Sequence, residues 1–325
     1  MRDHGGNIDE AIATFGGDAG DWIDLSTGIN RNPYPIPQLP ASAWTDLPTQ
    51  TAKQALCSVA ASAYGTQAAV LPLAGAQAAI QLIPRLVAPG DARVLAPTYN
   101  EHAAALNAQG WKVNEVARFE ELAGADLAVI VNPNNPDGNR IETGAVLRLA
   151  EQVRYLIVDE SFVDARPEYS IAPLAGRPGL LVLRSFGKFY GLAGLRLGFV
   201  LGHPDDLAVL SDLSGPWSVS GPALVVGSAA LADTEWQRAT IAQFAGDAER
   251  LDQLAVAAGW QLVGGTELFR TYATPSAVEA QRMLARHHIW SRVFPYSATW
   301  MRLGLPGSER EWVRLQLALG GEAAS

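Results

Sequence analysis

Apolar positions recur with two different periods along this chain, and the two alternate. Gln54–Tyr64 and Glu101–Gln109 carry apolar residues on one helical face. Gly75–Val87 reads as a helix ended by Pro89-Gly90, and Thr143–Gln152 as another. Between them lie short apolar runs: Arg93–Ala96, Asp126–Val131, Tyr155–Val158, Leu180–Leu183 and Gly198–Leu201. Runs of this length predict strands buried on both faces. Strands alternating with helices predict an α/β fold, with a mostly parallel sheet and right-handed crossovers.

Beyond about residue 215 the texture changes. GPWSVSGPA is a break punctuated by glycine and proline, and a long helical stretch follows over Pro222–Gly259. Short strands are expected near Leu268–Ala273, Trp290–Phe294 and Thr299–Leu305, with a helix at Ala277–His288. This is the pattern of a smaller α+β domain, against which the Gly- and Pro-rich start of the chain is expected to pack. The expected division is a large domain over 45–215 and a small one from 1–44 and 216–325.

Composition narrows the picture. The chain has 325 residues, 48% of them apolar and 18% charged, which is globular rather than disordered. A net charge of −9 argues against a nucleic-acid or anionic-membrane partner, while leaving room for a local basic pocket. One cysteine, Cys57, excludes an intrachain disulfide and a cysteine-built metal site, and no metal is among the expected ligands. No run of about 18 apolar residues is present, and the opening MRDHGGNIDEA lacks the basic and apolar regions of a signal peptide. The expectation is a soluble cytoplasmic protein.

Candidate chemistry collects just beyond the predicted strands, at Tyr99, Asn135, Asp159 and Lys188. In open parallel sheets ligands bind beyond the carboxyl ends of the strands, so four such groups suggest one site. Lys188 sits in LRSFGKFYGLAGLRLGF, between an apolar and a glycine-rich run. Enclosure disfavours its ammonium form, and a neutral amine is the nucleophile for a Schiff base. Asp159 ends YLIVD, where a buried carboxylate needs a partner, and a protonated pyridine nitrogen would be one. Asn135 lies in NPNNPDG and could donate to a phenolic oxygen; Tyr99, in APTYNEH, could stack on a flat ring. Gly75-Ala76-Gln77 opens a helix whose free N–H groups suit a phosphate, with Ser185 and Arg196 able to add a hydroxyl and a guanidinium. Taken singly, each also has a plain reading: Asp159 as a cap, NPNNPDG as a turn, Tyr99 as a core ring.

Taken together, AGAQ, PTY, NPNNPDG, VDESF and SFGKFYGLAGLRLGF resemble, in order and separation, the fold-type-I pyridoxal-phosphate enzymes of the aspartate aminotransferase superfamily. The resemblance covers residues 70–200, with an echo in TWMRLGLP. It implies a seven-stranded sheet with a smaller α+β domain, pyridoxal 5'-phosphate as cofactor, and a homodimer acting on a small phosphorylated amino acid. It also implies roles. Lys188 is the Schiff-base lysine, Asp159 pairs with the ring nitrogen, Asn135 meets the ring hydroxyl and Tyr99 stacks. Gly75, Ala76, Gln77, Ser185 and Arg196 hold the phosphate, and Arg302 holds the substrate carboxylate.

Within that superfamily the chain is similar to histidinol-phosphate aminotransferases and more so to the threonine-phosphate decarboxylase branch, through HGGNIDEA, IDLSTGINRNPYP and KFYGLAGLRLG. Phe162 stands where aminotransferases usually carry a tyrosine. The implied reaction is decarboxylation of L-threonine O-3-phosphate to (R)-1-amino-2-propanol O-2-phosphate in cobalamin biosynthesis, with transamination as the alternative. His4 and Asn30 are candidates for the substrate phosphate. Two departures stand out. Gly187 replaces a serine that many relatives offer the phosphate, and LPTQTAKQAL lacks the tyrosine that many supply from a neighbouring subunit.

Overall fold

A computed structural model describes residues 4–320; the first three residues of the opening segment, and the last five of the chain, lie outside them. The described chain divides into two compact units. One is Tyr34–Asn135 with Arg140–Arg238; the other gathers the residues up to Pro33, Pro136–Asn139 and those from Ala239 onward.

The first unit is built on a seven-stranded sheet. Its strands are β1 (Ala69–Leu73), β2 (Asp91–Leu95), β3 (Lys112–Val116), β4 (Leu127–Val131), β5 (Tyr155–Asp159), β6 (Leu180–Ser185) and β7 (Gly198–Gly202). The order is β1-β7-β6-β5-β4-β2-β3. Only β7 runs against its neighbours, pairing antiparallel with both β1 and β6. All five residues of β4 and of β7 are buried, as central strands flanked on both faces must be. Strand β3 is different. KVNEV alternates and lies largely exposed at the sheet edge, and for that reason it carries no continuous apolar run.

Register brings the chemistry together. Val131 lies beside Asp159, Asp159 beside Leu183, and Ser185 beside Gly198. The carboxyl ends of β4 and β5 therefore finish level, and β6 runs two residues past them. Helix α1 (Ala76–Leu82) follows β1, and α2 (Glu101–Ala108) follows β2. Helix α1 is shorter than the apolar pattern suggests, because Pro84 turns the chain into a 3₁₀ turn over Ile83–Arg85.

The second unit contains a four-stranded antiparallel sheet of β8 (Gln261–Thr266), β9 (Phe269–Ala273), β10 (Arg292–Phe294) and β11 (Ser297–Gly304), ordered β10-β11-β9-β8. Strand β8 escapes sequence reading because QLVGGT spends two positions on glycine. The stretch Trp290–Phe294 is two strands rather than one: Ile289–Trp290 pairs with Ile23–Asp24, and β10 pairs with β11. The single helix expected over Pro222–Gly259 is likewise two, Gly221–Ala232 and Thr234–Ala257, parted at Asp233.

Candidate active site

Beyond these strand ends of the first unit lies a cavity of about 150 Å³. Gly75, Ala76, Gln77, Tyr99, Asn135, Asp159, Ser185, Lys188 and Arg196 all line it, joined by Ser161, Phe162 and Gly187. Residues far apart in sequence thus meet because most of them sit at or just beyond the ends of neighbouring strands.

Lys188 is carried on one helical turn, Phe186–Phe189, directly after β6. That turn is fixed by rings on its other faces. Phe186 stacks on Tyr190 with centroids 4.3 Å apart, and Tyr190 stacks on Trp236 at 5.6 Å. Lys188 itself is half-buried, its Nζ 5.6 Å from the Phe162 ring centroid. Gly187 is a packing requirement. A Cβ there would stand 2.8 Å from Ala193 Cα, which leaves no room for the serine many relatives carry.

Asp159 is 2% exposed. Its Oδ2 lies 2.8 Å from His102 Nε2, and its Oδ1 accepts from the Ser161 N–H at 2.9 Å and the Ser161 hydroxyl at 2.5 Å. Burial alone would raise its pKa, but His102 and Ser161 outweigh it and hold the carboxyl below its ordinary value. A persistent anion at the floor of a cavity suits a protonated ring nitrogen. Neither His102 nor Ser161 was expected from sequence. His102 lies three residues beyond Tyr99, in the first turn of α2, and Ser161 stands two residues past an aspartate, the spacing of a side chain closing on its own backbone.

At the other end is an anion cradle. Gly75 adopts φ 83°, and a Cβ there would meet Arg196 Nη2 at 2.8 Å. A Cβ on Gly198 would meet the Ala76 nitrogen at 2.3 Å. Only glycine lets the guanidinium and the start of α1 approach this closely. Free N–H groups at that helix start, with Arg196 and Ser185, suit a phosphate. Between the two ends, the Tyr99 ring offers a wall; its hydroxyl donates to Gln77 Oε1 at 3.2 Å. An amine, a buried anion, an aromatic wall and a phosphate cradle in one cavity fit pyridoxal phosphate.

The residues expected to touch substrate belong to the second unit. Arg302, on β11, is 6% exposed and donates from Nη2 to the Ser26 carbonyl at 2.6 Å. Burial first, and then the like charge of Arg292, push its pKa down to about 10. Arg292, unremarked in the sequence, is its cross-strand partner on β10. Asn30 is buried and accepts from the Asn32 N–H at 2.8 Å; His4 is exposed.

The class I and II aminotransferase family model matches residues 21–319. The chain belongs to that family. Among curated family members, threonine-phosphate decarboxylase from Pseudomonas aeruginosa is 42% identical, over 99% of this chain and 98% of the relative. The protein of that name from a Sinorhizobium species is 44% identical over 93% and 92%. Histidinol-phosphate aminotransferase from Serratia proteamaculans is 29% identical over 68% of this chain and 66% of its own length. Among solved structures, histidinol-phosphate aminotransferase from Sinorhizobium meliloti, in complex with pyridoxal-5'-phosphate, overlays with a TM-score of 0.80 at 20% identity, covering 96% of this chain and 92% of that one. L-threonine-O-3-phosphate decarboxylase from Porphyromonas gingivalis gives 0.74 at 20%, covering 91% and 98%. These overlays establish the family's fold, fold type I, for this chain.

Proposed function

We propose that the chain is a pyridoxal-phosphate-dependent decarboxylase that converts L-threonine O-3-phosphate to (R)-1-amino-2-propanol O-2-phosphate and carbon dioxide, in cobalamin biosynthesis. The observation that carries this reading is identity above 40% to two threonine-phosphate decarboxylases along nearly the whole chain. Bound pyridoxal phosphate supplies an electron sink conjugated to the substrate's amino group.

The chain's own residues do the rest. Lys188 supplies the amine that holds the cofactor carbonyl. Asp159, kept ionised by His102 and Ser161, retains the proton on the ring nitrogen. Asn135 donates to the ring hydroxyl, and the α1 cradle with Ser185 and Arg196 takes the phosphate. Threonine phosphate carries two anionic groups, and the adjacent pair Arg302 and Arg292 offers two guanidiniums. Gripping both anions restricts rotation about the substrate Cα. Such a restriction would favour presenting the carboxylate, rather than the Cα hydrogen, for loss. The products, carbon dioxide and the amine, then differ from the substrate only by the carboxylate lost and a proton gained at Cα.

We assign the working form to a cytoplasmic homodimer. Ile36, Trp44, Leu47 and Trp217, each more than half exposed, are apolar surface that a second copy would cover. Among the described residues no helix is long and apolar enough to cross a membrane. The deciding assay supplies threonine phosphate without any keto-acid acceptor. Release of carbon dioxide is expected; glutamate-dependent formation of 2-oxoglutarate instead would replace this reading with transamination. Sedimentation of the purified protein checks the dimer.

A further inference from the structure

Glu101 is a carboxylate that the mechanism above leaves unused. It stands at the first position of α2 and is 7% exposed, so removing it from water is costly unless another group compensates. Its Oε2 accepts from Gln77 Nε2 at 3.0 Å. The other end of that same carboxamide, Oε1, accepts from the Tyr99 hydroxyl at 3.2 Å. Gln77 and Tyr99 line the cavity; Glu101 does not.

Donor and acceptor chemistry gives this chain of three a direction. A carboxylate only accepts, so the nitrogen of the Gln77 amide must turn toward Glu101. Its oxygen then faces Tyr99, and Tyr99 must be the donor. Without a fixed anion at 101 the amide has no reason to prefer that orientation over its flipped form, in which the Gln77 nitrogen would face the phenol oxygen. The Tyr99 ring is therefore held at both ends, by its backbone before α2 and by its hydroxyl.

We infer that Glu101 is a positioning residue. Acting through the Gln77 carboxamide, it fixes the plane of the Tyr99 ring against the cofactor cavity. The inference rests on the pyridoxal-phosphate reading and adds a residue outside the cavity wall to the machinery that binds the cofactor. It also changes what Gln77 is expected to do. One side-chain N–H serves Glu101 and the carbonyl serves Tyr99, so the Gln77 carboxamide is committed to this link rather than to the phosphate.

The test is a double-variant cycle read by equilibrium dialysis of purified protein against pyridoxal phosphate, with no turnover involved. Glu101→Gln replaces an accept-only carboxylate by an amide that can also donate, so it no longer dictates which way Gln77 turns, and Tyr99→Phe removes the hydroxyl it acts on. Each is expected to weaken cofactor retention about fivefold, the scale of one hydrogen bond. In the Tyr99→Phe background, Glu101→Gln is expected to add nothing, since both changes break the same link. Losses that multiply in the double variant would overturn the inference. So would a Glu101→Gln protein that melts earlier but retains the cofactor like the wild type. Should Glu101→Gln fail to fold, Glu101→Asp, one methylene shorter, runs the same cycle. Wild-type protein that does not bind pyridoxal phosphate would sink the functional reading and this inference together; normal binding with multiplying losses would sink this inference alone.

Discussion

Asp159 and Glu160 are neighbours at the end of β5, and both are almost wholly buried, yet their pKa values move in opposite directions. Asp159 points into the cavity, where His102 and Ser161 lower its pKa. Glu160 turns to the other face of the sheet, as the pleat requires. It accepts there from Ser170 Oγ at 2.6 Å, the Ile171 N–H at 2.7 Å and Arg184 Nη1 at 3.3 Å. Burial raises the Glu160 pKa all the same, and Arg184 only partly opposes it. Asp164, also raised by burial, binds the same guanidinium.

The number of donors is therefore not what separates the two. On the cavity face one carboxylate has its partners to itself. On the rear face two carboxylates divide one arginine, itself 3% exposed with its Cζ 4.1 Å from the Tyr64 ring centroid. The first arrangement preserves a charge for chemistry. The second closes the β5 and β6 ends together from behind.

Substitutions can pull these two roles apart. The largest effect is expected on the cavity face. Lys188→Ala should lower carbon dioxide release from threonine phosphate by at least about a thousandfold, with a melting temperature close to wild type. Asp159→Asn should cost about a hundredfold to a thousandfold in turnover, on the scale of one removed electrostatic partner. It should also flatten the acid limb of the stability curve. The Asp159 pKa lies below its ordinary value of 3.8, so its contribution is present above that value and is lost as pH falls through the folded value.

On the rear face the readout reverses. Arg184→Met strands two buried carboxylates and should destabilise the fold by about 3–5 kcal/mol in urea titration, with a far smaller change in turnover of the folded fraction. If Asp159→Asn melted as badly as Arg184→Met, the division between faces would fail. The smallest effect belongs to Glu160→Gln. The Glu160 pKa is raised above 4.5, so the native state binds the extra proton and stability falls as pH rises past that value. The variant should lose that downward slope, while differing by only about 1 kcal/mol at mildly acidic pH.

Much of the cavity was legible in the sequence because strand-end residues follow unbroken apolar runs. Val131, Val158 and Leu183 announce where β4, β5 and β6 finish, and the polar groups beyond them need no further signal. The partners that tune those groups were not legible. His102, Glu101 and Arg184 act across 57, 24 and 20 residues of sequence respectively, and nothing local marks them. Edge strand β3 and glycine-bearing β8 were hidden for the opposite reason: they are stabilised by pairing, without a buried face of their own to display.

Gly187 carries a consequence for how this pocket could change. Its nearest neighbour is the backbone at Ala193, in the turn that leads into Arg196. Restoring a serine there would push that turn outward and take the guanidinium with it. A second hydroxyl at 187 is thus incompatible with the present seat of Arg196, and gaining one would require the 193–196 turn to move with it.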